Sequence, residues 1–206
     1  MILSILIPVL PERYPQFMRL LHELQRQVSY MHRNNPTLGL IEICFDDRPS
    51  FLHGGPSIGG KRNFLRQKAL GKYQAQLDMD DWIAPNYIET LVRLAQEDKD
   101  VLTFNCLFTN DDYWTIINMS FDNKEDEQAS PERIIKRKPW HVCGIKSEIA
   151  RKEHFNDELN HGEDVEWMSK IMQHVNSGIH SDKILTQYNH SASGSEADKI
   201  LKAGYR

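Results

Sequence analysis

The sequence predicts a three-layer α/β fold built on a mostly parallel sheet. Two observations carry this. The first half alternates apolar runs of strand length with amphipathic runs of helix length, in the order β-α-β-α-β-α. Two of the apolar runs end in acidic residues, at Asp46-Asp47 and at Asp78-Met-Asp-Asp81. In sheets of this class ligands bind beyond the carboxyl ends of the strands, where both acidic groups fall.

Residues 2–7 are continuous, apolar and β-branched, as in a strand buried on both faces, and Pro8 and Pro11 stop it. Phe17, Leu20, Leu21, Leu24, Val28 and Met31 then recur at helical spacing, and Asn34-Asn35-Pro36 ends that helix. Leu40–Phe45 reads as the second strand. A Gly- and Pro-rich loop is expected from Arg48 to Gly60, then a helix from Lys61 to Leu70 closed by Gly71. Tyr73, Ala75 and Leu77 alternate with polar residues, the period of a strand, which ends at Asp78. Pro85 opens a helix carrying Ile88, Leu91, Val92 and Ala95 inward.

The second half is less regular. Val101–Phe108 and Tyr113–Met119 form an expected strand pair joined by residues 109–112. Residues 122–132 read as an acidic surface loop and 133–138 as a basic stretch. A helix is expected over Asp164–Val175, and the tail after Tyr188 is small and polar.

Composition narrows the function. At 206 residues and 40% hydrophobic, the chain suits one domain with a real core. A net charge of −4 argues against a general nucleic-acid binder. Three scattered cysteines without a CxxC pair argue against a zinc site and suit a reducing compartment. The apolar N-terminus is too short to span a bilayer and no basic segment precedes it, so a cytoplasmic protein is expected, with peripheral attachment to a membrane left open.

Asp78 and Asp80 point to one side of an extended backbone. Carboxylates so placed repel unless a cation joins them, and hard oxygen ligands suit Mg²⁺ or Mn²⁺. The alternative is an acidic turn that caps the next helix, a role also open to Asp81. Arg62, at the start of a helix and followed by Asn63, suits an anion, while Lys61 reads as a solvated charge. Glu163-Asp164 opens a helix, where acids are favourable with the helix dipole whether or not they do chemistry.

The order Ser4-Ile-Leu-Ile-Pro8, Asp46-Asp47, Gly60-Lys-Arg-Asn63, Ala69-Leu-Gly-Lys-Tyr73, Leu77-Asp-Met-Asp-Asp81 and Gly162-Glu-Asp164 resembles the family-two glycosyltransferases of the GT-A fold. The stretch 59–82 is its most specific part, and residues 100–140 match nothing in the family pattern. The resemblance implies a nucleotide-binding half over 1–99 and an acceptor-binding half over 100–206. It implies a nucleotide-sugar donor, a UDP-sugar above others, held by Pro8, Asp46 or Asp47, Arg62, Asn63 and Asp78. It makes Asp80 the firmer ligand of Mn²⁺ or Mg²⁺, with Asp78 beside it and His190 as a late ligand to the metal or diphosphate. Asp164 becomes the general base of an inverting transfer, with Glu163 as helper. Trp140, His141, Arg137 and Lys138 fall on the acceptor side. The acceptor is left as a glycan, a lipid-linked sugar or a hydroxylated DNA base. A sugar-phosphate nucleotidyltransferase and an inactive binding module of the same fold are the competing readings. The first usually carries a Gly-rich loop after strand one, where this chain has Pro8-Val-Leu-Pro-Glu-Arg13.

Overall fold

The computed structural model describes residues 1–110, 112–128 and 134–189. Arg133 and His190 lie outside them, as does the tail beyond His190.

The six-element alternation stands. Strand β1 (Leu3–Pro8) is buried along its whole length. Helix α1 (Tyr14–Asn34) lays Phe17, Leu20, Leu21, Leu24 and Met31 on the core. Strand β2 (Ile41–Asp46) lies at the sheet edge and is only partly covered. Helix α2 spans Ile58–Lys68 and begins earlier than the Gly-rich sequence suggests. The cause is Ser57, whose hydroxyl accepts the Gly60 N–H at 2.9 Å and turns two glycines into the first helical turn. Strand β3 (Tyr73–Gln76) is buried throughout. Strand β4 (Trp82–Ile83) precedes helix α3 (Tyr87–Ala95).

The second half adds β5 (Val101–Thr109) and β6 (Trp114–Asn118), paired antiparallel as expected. The basic stretch is itself a strand, β7 (Ile134–Lys136), running parallel to β6. Then come β8 (Gly144–Lys146), the short α4 (Ser147–Ala150), α5 (Glu163–Ile171) and β9 (Gly178–Asn189). The curled sheet has the order β2-β1-β3-β8-β5-β6-β7, with β9 joining β5 to β4.

Register explains why the acids converge. β2 and β3 flank β1, both parallel to it. Pro8 pairs with Asp46, and Leu6 pairs with Gln76, two residues before Asp78. Pro8, Asp46 and Asp78 therefore share the carboxyl edge. The antiparallel pairing of β8 with β3 brings the segment before β8 past that edge, where the Gln76 N–H donates to the His141 carbonyl at 3.3 Å.

Candidate active site

Arg62 is the centre of the site. Its side chain is almost wholly buried and projects from the first turns of α2. Nε donates to Glu163 Oε1 at 3.0 Å, one terminal nitrogen to Gln76 Oε1 at 3.1 Å, and the other to Asp78 Oδ1 at 2.6 Å. A buried charge needs such partners to be tolerated. Burial works against the guanidinium, and Asp78, Glu163 and Asp164 outweigh it.

His141 stands between two carboxylates. Its Nδ1 lies 2.9 Å from Asp164 Oδ2 and its Nε2 lies 3.7 Å from Asp78 Oδ2. The side chain is 12% exposed. Burial would lower its pKa, but the facing carboxylates of Asp164 and Asp78 win and raise it to about 10. Burial would raise Asp164, but His141 holds it down at about 2. The resting pair is thus imidazolium and carboxylate. Asp78 is likewise held below the carboxylate range, against burial, by Arg62 and then His141. Asp81 is pushed well above that range, by burial and then by Asp78.

Local sequence places the base candidate. Gly162 has φ +75°, a left-handed conformation that glycine adopts without a Cβ penalty. It lets the chain turn sharply into α5, so that Glu163 points inward to Arg62 while Asp164 keeps 26% of its side chain exposed. Both acids sit in the first turn, where the dipole favours them.

Two expectations change, for Lys61 and for Asp81, and the other residues take the places given with them. Lys61 is not a solvated charge: it is fully buried, and Nζ donates to the carbonyls of Val9, Asp46 and Arg48 at 2.7, 3.2 and 2.5 Å. It fastens the ends of β1 and β2. Asn63 donates to the Phe155 carbonyl at 2.9 Å and accepts the Phe155 N–H at 3.0 Å, so its amide is spent on packing. Asp81 does not cap a helix; it accepts the Asp78 N–H at 2.8 Å and closes the acidic turn, while α3 has no side-chain cap. Asp46 is buried and grips Arg48 at 2.5 Å, and Arg48 stacks on Phe64. Asp47 is exposed. Trp140 packs on the core and meets Tyr188 edge-on at 5.9 Å. Arg137 is half-buried and Lys138 exposed. The backbone N–H groups of Lys136 and Lys138 donate to Glu127 and Asp126 at 2.9 and 2.7 Å. His190 lies outside the described residues.

Sequence reasoning placed His141 with the acceptor and missed that it joins the two acidic motifs. Its position one residue after Trp140 carried no such signal.

Among the described residues no cluster of three or more His, Cys, Asp or Glu is arranged to enclose a metal ion. Both Asp78 oxygens already face cations. Asp80 is different: its carboxylate is 45% exposed and pairs with Arg13 at 2.7 Å. Magnesium-type ions are commonly held by one or two carboxylates plus substrate phosphates. The donor set fits a divalent ion shared between Asp80 and a bound diphosphate, with Asp78 committed to Arg62.

Fold and site together define an α/β protein with an acidic, Arg-centred side-chain cluster at the carboxyl edge of its sheet. The model of the glycosyl transferase family 2 matches residues 45–154. The chain belongs to that family. Its fold is similar to that of S. aureus TarS 1-349, with a TM-score of 0.60 at 17% identity, over 92% of this chain and 60% of that one. The UDP complex of that fragment gives a TM-score of 0.61 at 17% identity, over 92% and 60%. The UDP-GlcNAc complex gives 0.60 at 18%, over 92% and 58%. These neighbours establish the GT-A fold. The chain spans 60% of the length of the first of them. No curated protein sequence matches it. No helix among the described residues is long and apolar enough to cross a membrane.

Proposed function

We propose that the protein is an inverting glycosyltransferase that moves a sugar from a UDP-sugar to an acceptor hydroxyl, with a divalent ion at Asp80 and Asp164 as general base. The observation that carries this is the Arg62 hub. One guanidinium fastens Asp78, at the end of β3, to Glu163, which neighbours Asp164 at the start of α5. It thereby ties the acid read as diphosphate-side to the segment that carries the acid read as proton acceptor. Family membership and the UDP and UDP-GlcNAc complexes of a structural neighbour support the donor class.

The steps belong to the chain's own residues. Asp47, exposed at the end of β2, and Asp46, once it releases Arg48, are placed to accept the imide N–H of uracil. Asp80 holds the ion, which when bound neutralises charge on the leaving nucleoside diphosphate. Asp164 takes the acceptor proton. At about 2 its pKa keeps it ionised at neutral pH but makes it a weak base. Proton transfer therefore runs together with attack, as the hydroxyl becomes acidic in the transition state.

We assign a glycan or lipid-linked sugar as acceptor in preference to a hydroxylated DNA base. Asp126 and Glu127 interleave with Lys136 and Lys138, so this edge lacks the unbroken positive stripe that a phosphate backbone needs.

The test is thermal stabilisation by a panel of nucleotide sugars with Mn²⁺, followed by an assay for released UDP. A UDP-sugar that raises the melting temperature and is turned over supports the reading. A panel without effect refutes it.

A further inference from the structure

We propose that His141 is a positioning residue that orients the Asp164 carboxylate toward the acceptor and ties it to the donor-side Asp78. This rests on the transferase reading and deepens it.

Four observations converge. His141 Nδ1 lies 2.9 Å from Asp164 Oδ2, an ion-pair contact within hydrogen-bond distance. Asp164 is ionised, so the imidazole donates. His141 Nε2 is buried and has no hydrogen-bond partner. The acid facing it is Asp78, whose Oδ2 is 3.7 Å away, beyond hydrogen-bond reach. The ring is also held from behind, because the His141 carbonyl accepts the Gln76 N–H and the Trp140 carbonyl accepts the Cys143 N–H at 3.0 Å. The backbone around His141 is thus pinned to β3, while one ring nitrogen reaches the base and the other stops short of the donor-side acid.

Buried donors without partners are uncommon in folded proteins and call for an explanation. Here the gap between Nε2 and Asp78 is about 1 Å longer than a charge-assisted bond. Movement of Asp78 on donor binding would close it, and the same ring would then lock Asp164 in one rotamer. The acceptor hydroxyl would meet a preset carboxylate instead of a swinging one, and small errors in such placement are costly to rate. His141 itself need not touch either substrate.

The side-chain chemistry supplies a discriminating variant series. An asparagine amide nitrogen falls near the Nδ1 position and can donate to Asp164. Glutamine reaches toward the Nε2 position, and alanine reaches neither. Donor hydrolysis would be followed with UDP-GlcNAc and Mg²⁺, and UDP affinity by calorimetry. The expected result is a kcat loss of about 10²-fold in His141→Ala and His141→Gln, with UDP affinity within about threefold of the parent. His141→Asn should recover most of the lost rate. Equal kcat in parent and His141→Ala overturns the proposal. So does His141→Asn as slow as His141→Ala, or a collapse of UDP affinity, since these describe a structural or donor-binding residue. Proton NMR keeps the idea testable where hydrolysis is slow. A slowly exchanging ring N–H signal should vanish in His141→Asn and shift in Asp164→Ala, and its absence from the parent overturns the proposal. A parent that neither binds UDP nor turns over any nucleotide sugar refutes the transferase reading itself, a result distinct from an active parent indifferent to His141.

Discussion

Arg62 and Glu163, 101 positions apart in the chain, meet through Nε and Oε1 at 3.0 Å with both side chains almost free of water. Among the described residues it is matched in depth and separation by the Asn63–Phe155 bonds, which join the same two segments. The contact decides where α5 starts relative to α2, and so where Asp164 stands.

Breaking that pair strands a charge. Arg62→Ala should cost about 3–5 kcal/mol of stability, the usual consequence of leaving a buried partner uncompensated. Glu163→Gln should cost less, because the amide still accepts a bond. In urea titrations the double variant should be less destabilised than the sum of the singles. Strict additivity would mean the two side chains act independently.

Asp80→Asn should abolish the Mn²⁺ enhancement of UDP binding and leave the fold intact, because it removes ligand charge at an exposed turn. Calorimetry with and without the metal reads this directly. Identical enhancement in parent and variant would move the ion elsewhere.

Asp164→Asn should lower turnover by roughly 10²–10⁴-fold, the range for loss of a general base. UDP affinity should scarcely change. If donor binding fails instead, Asp164 belongs to the donor side and the mechanism is wrong.

The His141 environment predicts a pH signature. Burial and the repulsion of Arg62 work against protonation, but the carboxylates of Asp164 and Asp78 outweigh them and lift its folded value from the ordinary 6.5 to about 10. Protonation therefore favours the folded state. The contribution is complete below the unfolded value and fades as pH rises through about 10. The melting temperature of the ligand-free protein should fall over that window, and fall less in His141→Asn. Parallel curves would show that the imidazole is not held protonated.

The sequence reveals the first half of the fold well because its signals are local. Apolar periodicity marks β1, α1 and α3, and the strand-end acids mark the carboxyl edge. It reveals less where a residue's role depends on distant partners. Lys61 looks like any lysine until three carbonyls, from the ends of β1 and β2, converge on it. β9 escapes notice because His180, Ser181, Asp182 and Lys183 break its alternation, and its register with β5 shifts at Phe104–Cys106. β7 hides inside a basic run whose charges suggest a surface. At the site, Asp78, Asp80 and Asp164 are conspicuous by motif, whereas Asn63 and His141 change meaning once their neighbours are known.

Gly59 gives the seam beside α2 a consequence in time. Its N–H donates to the Leu159 carbonyl at 3.3 Å, and a Cβ there would stand 2.1 Å from the Asn156 oxygen. Ile58, Ser57 and Asn63 add further bonds to residues 155–160. Domains emerge from the ribosome N-terminal end first. A nascent chain that has reached Ala150 holds every element of the nucleotide-binding edge, yet Arg62 has no Glu163 to meet and the glycine groove lies open. The two halves of the site can close only after residues 155–164 have emerged. Ribosome-bound chains stalled before and after residue 164 should therefore differ sharply in how fast a protease cuts at the start of α2.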